Sequence, residues 1–215
     1  DMYTQINYNE DIVRVTPLEY NGFFKYLTNK KNGVKGYITV DSVSGISNLV
    51  KLDNGLKYMP SAMFSEDLYR KLRFSYPTKI FGKTNSELDE NGQPYWVTPV
   101  YEKQVGPVRG PEVIGTVVLN ACTGEHHYYD VSETPEWVDN VYPNDLIRKQ
   151  FNNYSRLQSG WWNSKTDELF VTQLTPSTSI EREKGENSSV YSHYSGETVV
   201  NYKGVLWYYS GETST

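Results

Sequence analysis

The sequence predicts an α+β fold in which a hairpin-plus-helix unit occurs twice on mostly antiparallel sheets. Short runs that alternate apolar and polar residues are typical of half-buried strands, and only a few segments show helical periodicity. A pattern of strand, turn, strand and helix that begins at Gly36 begins again at Gly115, 79 residues later. Recurrence of a whole unit indicates the duplication of one folding module.

The composition excludes several functional classes. The 215 residues carry a net charge of −5 and include 7 Phe, 5 Trp and 19 Tyr, which is too aromatic for a disordered chain. No apolar run approaches the roughly 18 residues of a membrane-spanning helix, so we expect no direct membrane insertion by this segment. Because nucleic acids attract basic surfaces and no Lys/Arg cluster is present, we also expect no nucleic-acid partner.

The first predicted elements are a hairpin and a helix. Tyr3–Tyr8 and Ile12–Val15 alternate around a short polar turn, which predicts two antiparallel strands. The Thr-Pro pair at 16–17 is typical of a helix start, and the apolar residues of 18–29 fall mostly on one helical face. We expect this helix to stop at Gly33.

The duplicated hairpins share a glycine-containing turn. Gly36–Gly45 and Gly115–Gly124 both run from a β-branched strand through Asp or Asn to a Ser/Thr-Gly pair. The Asp or Asn side chain can accept hydrogen bonds from the turn, and glycine supplies the positive φ that closes a short hairpin. A second strand is expected after each turn, at 46–52 and at 126–131.

An amphipathic helix is predicted after each hairpin. Phe64–Lys71 and Tyr142–Lys149 place an acidic residue early and an Arg-Lys pair late, an order that suits the helix dipole. The residues expected to face the sheet are Leu68, Leu72 and Tyr76 in the first helix, and Leu146 or Ile147, Phe151 and Tyr154 in the second.

Two further turns and a tail complete the chain. Asn91-Gly92 predicts a hairpin turn before a strand at 95–100, and 53–55 (Asp-Asn-Gly) predicts another tight turn. The tail predicts strands at 169–174, 199–202 and 205–208, around a Ser/Thr/Glu-rich stretch at 175–189 that we expect to be mobile.

We therefore predict three segments. Residues 1–105 form the first α+β unit, 106–164 the second repeat unit, and 165–215 a strand-rich tail that would belong to a third, incomplete unit. The polar segment 106–111, rich in Gly and Pro, marks the first boundary.

No constellation in the sequence indicates catalysis or a metal. His126 and His127 are neighbours on a predicted strand, so their side chains point to opposite faces and cannot grip one ion together. Glu87, Asp89 and Glu90 lack the ligand spacing of a calcium loop, which favours a solvated hairpin turn. Nucleophile-elbow, zinc-protease and phosphate-loop motifs are missing, and paired carboxylates for a hydrolase have no positive support. We expect a non-catalytic protein without metal or cofactor.

Aromatic residues are the candidate ligand-binding groups. Where two aromatic residues are adjacent on a strand, one ring points inward and the other outward, so several large rings should be exposed. They could pack under loops, or they could dock a protein or a sugar-like polymer. The candidates are Tyr95, Trp96, Tyr128, Trp137, Trp161 and Trp162.

The two hairpins resemble those of PepSY-type domains, which are small cystatin-like α+β modules of bacterial extracytoplasmic and membrane proteins. The wider run Leu72–Thr78, Pro94–Val97, Trp137–Asp139 and Gly160–Ser164 resembles a poorly characterised family of membrane-anchored Gram-positive proteins that carry such repeats externally. The resemblance covers most of residues 3–164 and weakens from Lys165. It implies an external binding or regulatory segment, in some relatives thought to restrain proteases, and it brings no catalytic residues.

The expected role is a non-catalytic protein-binding or regulatory domain of a larger surface or membrane protein. We expect an extracytoplasmic location, because the composition is typical of exported Gram-positive proteins. The chain opens on Asp1-Met2-Tyr3, which indicates either that a leader was removed or that the chain is a piece of a longer protein; we favour the second and expect an anchor in segments outside this chain. The single cysteine, Cys122, cannot form an internal disulfide and is expected to be a small buried residue. The alternative is a module that binds a cell-wall polymer through exposed Trp and Tyr, and a hydrolase ranks behind both.

Overall fold

The chain forms a mixed α/β structure with mostly antiparallel sheets and few helices, as predicted. Its computed structural model describes residues 4–8, 11–42, 44–103, 111–157, 162, 165, 172–174, 179–182, 190–193, 197–202, 205–210 and 212–214. The contacts group the chain into two compact units, Asp1–Pro143 and Asn144–Thr215. The predicted boundaries after residues 105 and 164 stay predictions, and most of the predicted break at 106–111 lies outside the described residues.

The first sheet has four antiparallel strands in the order β1-β2-β3-β4. The N-terminal hairpin is confirmed by the pairing of β1 with β2. The helix start predicted at 16–17 is wrong, because Thr16 and Pro17 continue β2 and lie opposite Ile38 and Tyr37 of β3. The strands are Thr4–Tyr8 (β1), Asp11–Pro17 (β2), Val34–Asp41 (β3) and Ser47–Leu56 (β4).

The first helix, α1, is shorter than predicted and covers Phe23–Asn29. It ends at Asn29, before the Gly33 stop that was predicted; Gly33 has a φ of 72° that turns the chain, and its N–H donates to the Asn29 carbonyl at 2.8 Å. Tyr26 is its one buried residue. The other apolar side chains of α1 therefore lie outside the core.

Strand β4 contains a wide irregularity where a tight turn was predicted. Leu56 lies opposite Val34 and Lys51 lies opposite Gly36, so residues 52–55 stand across from the single residue Lys35. The prediction of a tight turn at 53–55 is wrong, because these residues remain in the strand as an insertion.

The second sheet has five strands, with β5 and β6 both paired to one edge of β7, followed by β8 and β9. The turn at Asn91-Gly92 is confirmed: Gly92 has a φ of 74° and its N–H donates to the Asp89 carbonyl at 2.9 Å. The strands are Ile80–Phe81 (β5), Asn85–Leu88 (β6), Pro94–Glu102 (β7), Glu112–Asn120 (β8) and His126–Asp130 (β9).

Helix α2, Leu68–Ser75, covers one face of the second sheet. The carboxylate of Asp67 caps it by accepting from the Arg70 N–H at 2.7 Å. The prediction of its inward face is confirmed, since Leu68 and Leu72 are buried and Tyr76 packs against the same cluster. That cluster includes Trp96, Val117 and Leu119 from β7 and β8.

Strand alternation gives the second sheet two buried faces. Val97 and Val118 point away from α2 and pack with Val138 from the segment after β9, which lies over this face. The first sheet meets the second through a separate cluster in which Ile6, Val15 and Tyr37 pack with Leu88 of β6. Both sheets therefore belong to the first compact unit.

The two glycine turns close in the same way. In β3–β4, the Asp41 carboxylate accepts from the Ser44 N–H at 2.7 Å and the Gly45 N–H donates to the Asp41 carbonyl at 2.9 Å. In β8–β9, the Asn120 amide oxygen accepts from the Thr123 N–H at 2.9 Å, and the Gly124 N–H donates to the Asn120 carbonyl at 2.8 Å. The hairpin turns predicted at these positions are confirmed.

The C-terminal unit contains one long helix and three two-stranded ribbons among its described residues. In helix α3, Leu146 is buried as predicted, whereas Tyr154 is exposed and the prediction that it faces a sheet is wrong. The strand pair predicted at 199–202 and 205–208 is confirmed by β13 and β14, and β11 occupies part of the stretch expected to be mobile. The elements are Asn144–Leu157 (α3), Thr172–Leu174 (β10), Ser179–Arg182 (β11), Val190–His193 (β12), Glu197–Tyr202 (β13), Val205–Ser210 (β14) and Glu212–Ser214 (β15).

Among the helices in the described ranges, none combines the length and the apolar character needed to cross a membrane.

Candidate functional site

The predicted ligand-binding aromatic residues do not form one surface. Trp96 is 1% exposed, and its indole N–H donates to the Tyr58 carbonyl at 2.6 Å in the core beneath α2. Including Trp96 among the surface rings is therefore wrong. Tyr128 lies on the same face of the sheet, half-buried, with its ring 6.5 Å from that of Tyr76 and the Lys79 ammonium 4.1 Å above it.

Tyr95 and Trp137 lie on the opposite face of the sheet. Their ring centroids are 5.0 Å apart at an angle of 41°, and both rings are half-buried at the edge of the Val97 cluster. Trp162 is 75% exposed in the C-terminal unit, and Trp161 lies outside the described residues. The structure thus brings Tyr95 to Trp137 and separates both from Trp96 and Tyr128.

A different apolar surface lies on α1. Phe23, Phe24 and Leu27 are exposed, with Phe24 at 80%, and the two phenyl rings contact edge to face with centroids 5.7 Å apart. At about 100° per residue these three positions share one side of the helix. Phe64, also exposed, adds a fourth apolar side chain beside α1, because its ring centroid is 6.3 Å from that of Tyr26. We call these four side chains the α1 surface.

Tyr26 anchors the α1 surface to the core. Its hydroxyl donates to the Met63 carbonyl at 2.9 Å, and its ring meets that of Tyr20 edge to face at 5.3 Å. Burial, with a smaller contribution from Glu66, raises the pKa of the Tyr26 phenol to about 12. The phenol therefore stays protonated and keeps donating at any physiological pH, which fixes α1 to the segment that carries Phe64.

Phe64 holds a strained backbone conformation. Its φ of 58° is the one positive value outside glycine among the described residues. The left-handed conformation costs a residue with a Cβ roughly 1–2 kcal/mol, and such strain is retained where surrounding contacts enforce it. The strain directs a large ring to the surface instead of into the core.

We expect Phe64→Gly to be more stable than Phe64→Ala by about 1 kcal/mol, because only glycine adopts this φ without a Cβ clash. Both variants lose the ring, so their difference isolates the backbone. Urea unfolding followed by Trp fluorescence measures it. Equal midpoints for the two variants would show that no strain is stored at this position.

The width of the apolar arc on α1 could have indicated this surface. Positions 23, 24, 26 and 27 span about 160° around the helix at about 100° per residue, more than one side of a short helix can bury. The strain at Phe64 has no signal in the sequence.

The two histidines lie on opposite faces of β9, as predicted. The His126 ring nitrogens lie 3.1 Å from the hydroxyl oxygens of Ser75 and Tyr76, whereas the His127 ring packs at 4.6 Å against Tyr129 on the other face. Burial lowers the pKa of His126, which favours its neutral form, in which one ring nitrogen donates to one hydroxyl and the other nitrogen accepts from the second hydroxyl. No group of three metal-ligating side chains occurs in the part of the chain that the structure describes.

Glu87 is a buried carboxylate instead of the solvated turn residue that was predicted. It is 0% exposed, and its two oxygens accept from the backbone N–H groups of Asp139 and Asn140 at 2.9 and 3.2 Å. Burial raises its pKa to about 7 despite these hydrogen bonds. It joins β6 to the segment that covers the second sheet, so its first role is structural.

Comparison with protein-family models, with curated proteins and with solved structures found no match to this chain.

Proposed function

We propose that this chain is a non-catalytic protein-binding or regulatory domain whose partner docks on the α1 surface. The observation that carries the proposal is the exposure of Phe23, Phe24, Leu27 and Phe64 on adjoining elements. Contiguous apolar side chains on a surface are typical of interaction sites, and buried aromatic residues supply much of the energy at protein interfaces.

The rigidity of the α1 surface supports the same role. The Tyr26 hydroxyl ties α1 to the Met63 carbonyl, directly before the strained Phe64. A binding surface that is fixed before the partner arrives loses less entropy on association. The partner is then a protein with a complementary apolar groove.

We extend the proposal to location and origin. The domain would lie outside the cytoplasm of a Gram-positive bacterium as a segment of a larger surface or membrane protein. Residues 36–76 and 115–154 would be copies of one PepSY-like unit, which is supported by the matching hydrogen bonds of their glycine turns.

The alternative of cell-wall glycan binding would need a strip of coplanar exposed rings. Tyr95 and Trp137 are tilted by 41° and half-buried, and Trp96 is in the core. No observation favours this alternative over docking of a protein on the α1 surface.

We expect Phe24→Ser to weaken partner binding at least about 10-fold while it changes the free energy of unfolding by less than about 0.5 kcal/mol. Phe24 is 80% exposed, so the folded chain loses little packing when the ring is removed. The partner is first retained from a Gram-positive surface extract on the immobilised chain, purified, and then titrated by calorimetry.

Phe74→Ser is the matched control, because Phe74 is 79% exposed near the C-terminal end of α2 and is not one of the four side chains of the α1 surface. It should bind as the wild type does. Equal weakening by both variants, unaltered binding by Phe24→Ser, or retention of no protein would contradict the proposal.

A further inference from the structure

A polar cleft of about 390 Å³ opens beside the irregular part of β4. Its walls come from the turn after α1, from residues 53–58 and from the β8–β9 turn. The volume is that of a small-molecule site, for which about 300–1,000 Å³ is usual. The side chains used below are Lys31, Lys35, Lys57, Asp53, Tyr58 and Thr123.

The cleft is positive on a chain that is negative overall. Three lysines and one aspartate line it, which leaves two positive charges, whereas the net charge of the chain is −5. Within the described part of the chain, none of the three ammonium groups forms an ion pair. A cleft whose cationic side chains outnumber its acidic ones favours an anionic ligand.

The walls are held by backbone contacts. The N–H groups of Lys57 and Tyr58 both donate to the Ala121 carbonyl, at 2.9 and 3.0 Å. The Tyr58 ring lies against Gly124, where a Cβ would come within 2.3 Å of it. The cleft therefore does not depend on a ligand for its shape.

The cleft is not a thiol active site. Cys122 lies in its wall, but its sulfur donates to the Asn54 carbonyl at 3.1 Å and accepts from the Gln93 amide at 3.2 Å. Burial raises the pKa of this thiol, against the opposing effect of Lys57. The thiol form is the weak nucleophile, so binding is the chemistry that the cleft supports.

We propose that this cleft binds a phosphate monoester of a sugar-sized, hydroxylated molecule. Lysine ammonium groups bind phosphate as point charges, whereas recognition of a planar carboxylate favours the arginine fork, and no arginine is among the described residues that line the cleft. The Thr123 hydroxyl and neighbouring side-chain amides supply partners for ligand hydroxyls.

The test is a calorimetric titration of the full chain with glucose 6-phosphate, inorganic phosphate, glucose and citrate at one ionic strength. Glucose 6-phosphate should bind at least about 10-fold more tightly than each of the other three, because only it combines the phosphoryl group with hydroxyls. Citrate binding of equal strength would overturn the choice of phosphate, and equal binding of inorganic phosphate would overturn the sugar-sized ligand.

The variant that removes the cations is Lys31→Gln combined with Lys35→Gln and Lys57→Gln. It should weaken the binding of glucose 6-phosphate at least about 30-fold. Lys25 is an exposed lysine of α1 outside the cleft, so Lys25→Gln should change this binding less than about 2-fold. Full affinity in the triple variant overturns the proposal. Phe24→Ser should leave this binding unaltered, so failure of the partner test and failure of this test are distinguishable.

Discussion

Raising the pH from about 4.5 to 8 should destabilise the wild-type chain by on the order of 3 kcal/mol more than it destabilises Glu87→Gln. The Glu87 carboxyl has a pKa of about 7 in the folded chain, against an ordinary value of 4.5. Burial is the main cause, and the charge of Asp139 adds to it. Glutamine cannot ionise, so the variant lacks this pH dependence.

The sign follows from proton counting. Between pH 4.5 and about 7 the folded chain keeps the Glu87 proton, whereas the unfolded chain has released it. The unfolded state therefore binds fewer protons in this range, and the free energy of unfolding falls as the pH rises. The contribution of protonated Glu87 is fully present below pH 4.5 and is lost as the pH passes through about 7.

Urea unfolding of both proteins at several pH values measures the difference. Glu90→Gln is the matched control, since Glu90 is exposed in the turn that follows β6, and it should keep the wild-type pH profile. A constant difference between wild type and Glu87→Gln from pH 4.5 to 8 would show that Glu87 ionises as it does in water.

Local patterns in the sequence predicted elements whose hydrogen bonds are also local. The turns at Asn91-Gly92, at 41–45 and at 120–124 form as expected because each is closed by its own backbone and by one Asp or Asn side chain. The sequence thus carries the information for these hairpins within a few residues.

The predictions that failed depend on contacts between distant residues. By its local sequence Glu87 is a solvated turn residue, but in the folded chain it is bound by the backbone of Asp139 and Asn140, which lie 52 and 53 positions later. Phe24 resembles a core residue, although α1 is too short and too broadly apolar to bury every ring. The α1 surface and the polar cleft beside β4 each bring together segments that no local pattern connects.

Asn54-Gly55 shows the same limit in one dipeptide. An Asn-Gly pair in an alternating sequence is typical of a tight hairpin turn, and Asn91-Gly92 lies in the turn that joins β6 to β7. At Gly55 the glycine serves a different need, because the backbone of the turn after α1 passes directly against it. The two glycines serve different purposes, although both stand in an Asn-Gly dipeptide, so the dipeptide alone does not distinguish them.

Gly55→Ala should therefore destabilise the chain by about 3 kcal/mol, as an overpacked contact that no side-chain rotation can relieve. A Cβ at this position would lie 2.3 Å from the Asn32 carbonyl oxygen and 2.8 Å from the Gly33 carbonyl carbon. Both atoms belong to the backbone, so β4 and the turn after α1 must move apart. The polar cleft beside β4 then changes shape.

Gly45→Ala separates this effect from the conformational freedom of glycine. Gly45 has a φ of 72° but nothing within 4 Å of the added Cβ, so its variant should lose only about 1 kcal/mol. Urea unfolding compares the two, and circular dichroism reports whether Gly55→Ala folds at all. If Gly55→Ala lost no more stability than Gly45→Ala, the added Cβ would not approach the Asn32 carbonyl oxygen as closely as 2.3 Å. The cleft would then lack the rigid wall on which its shape depends.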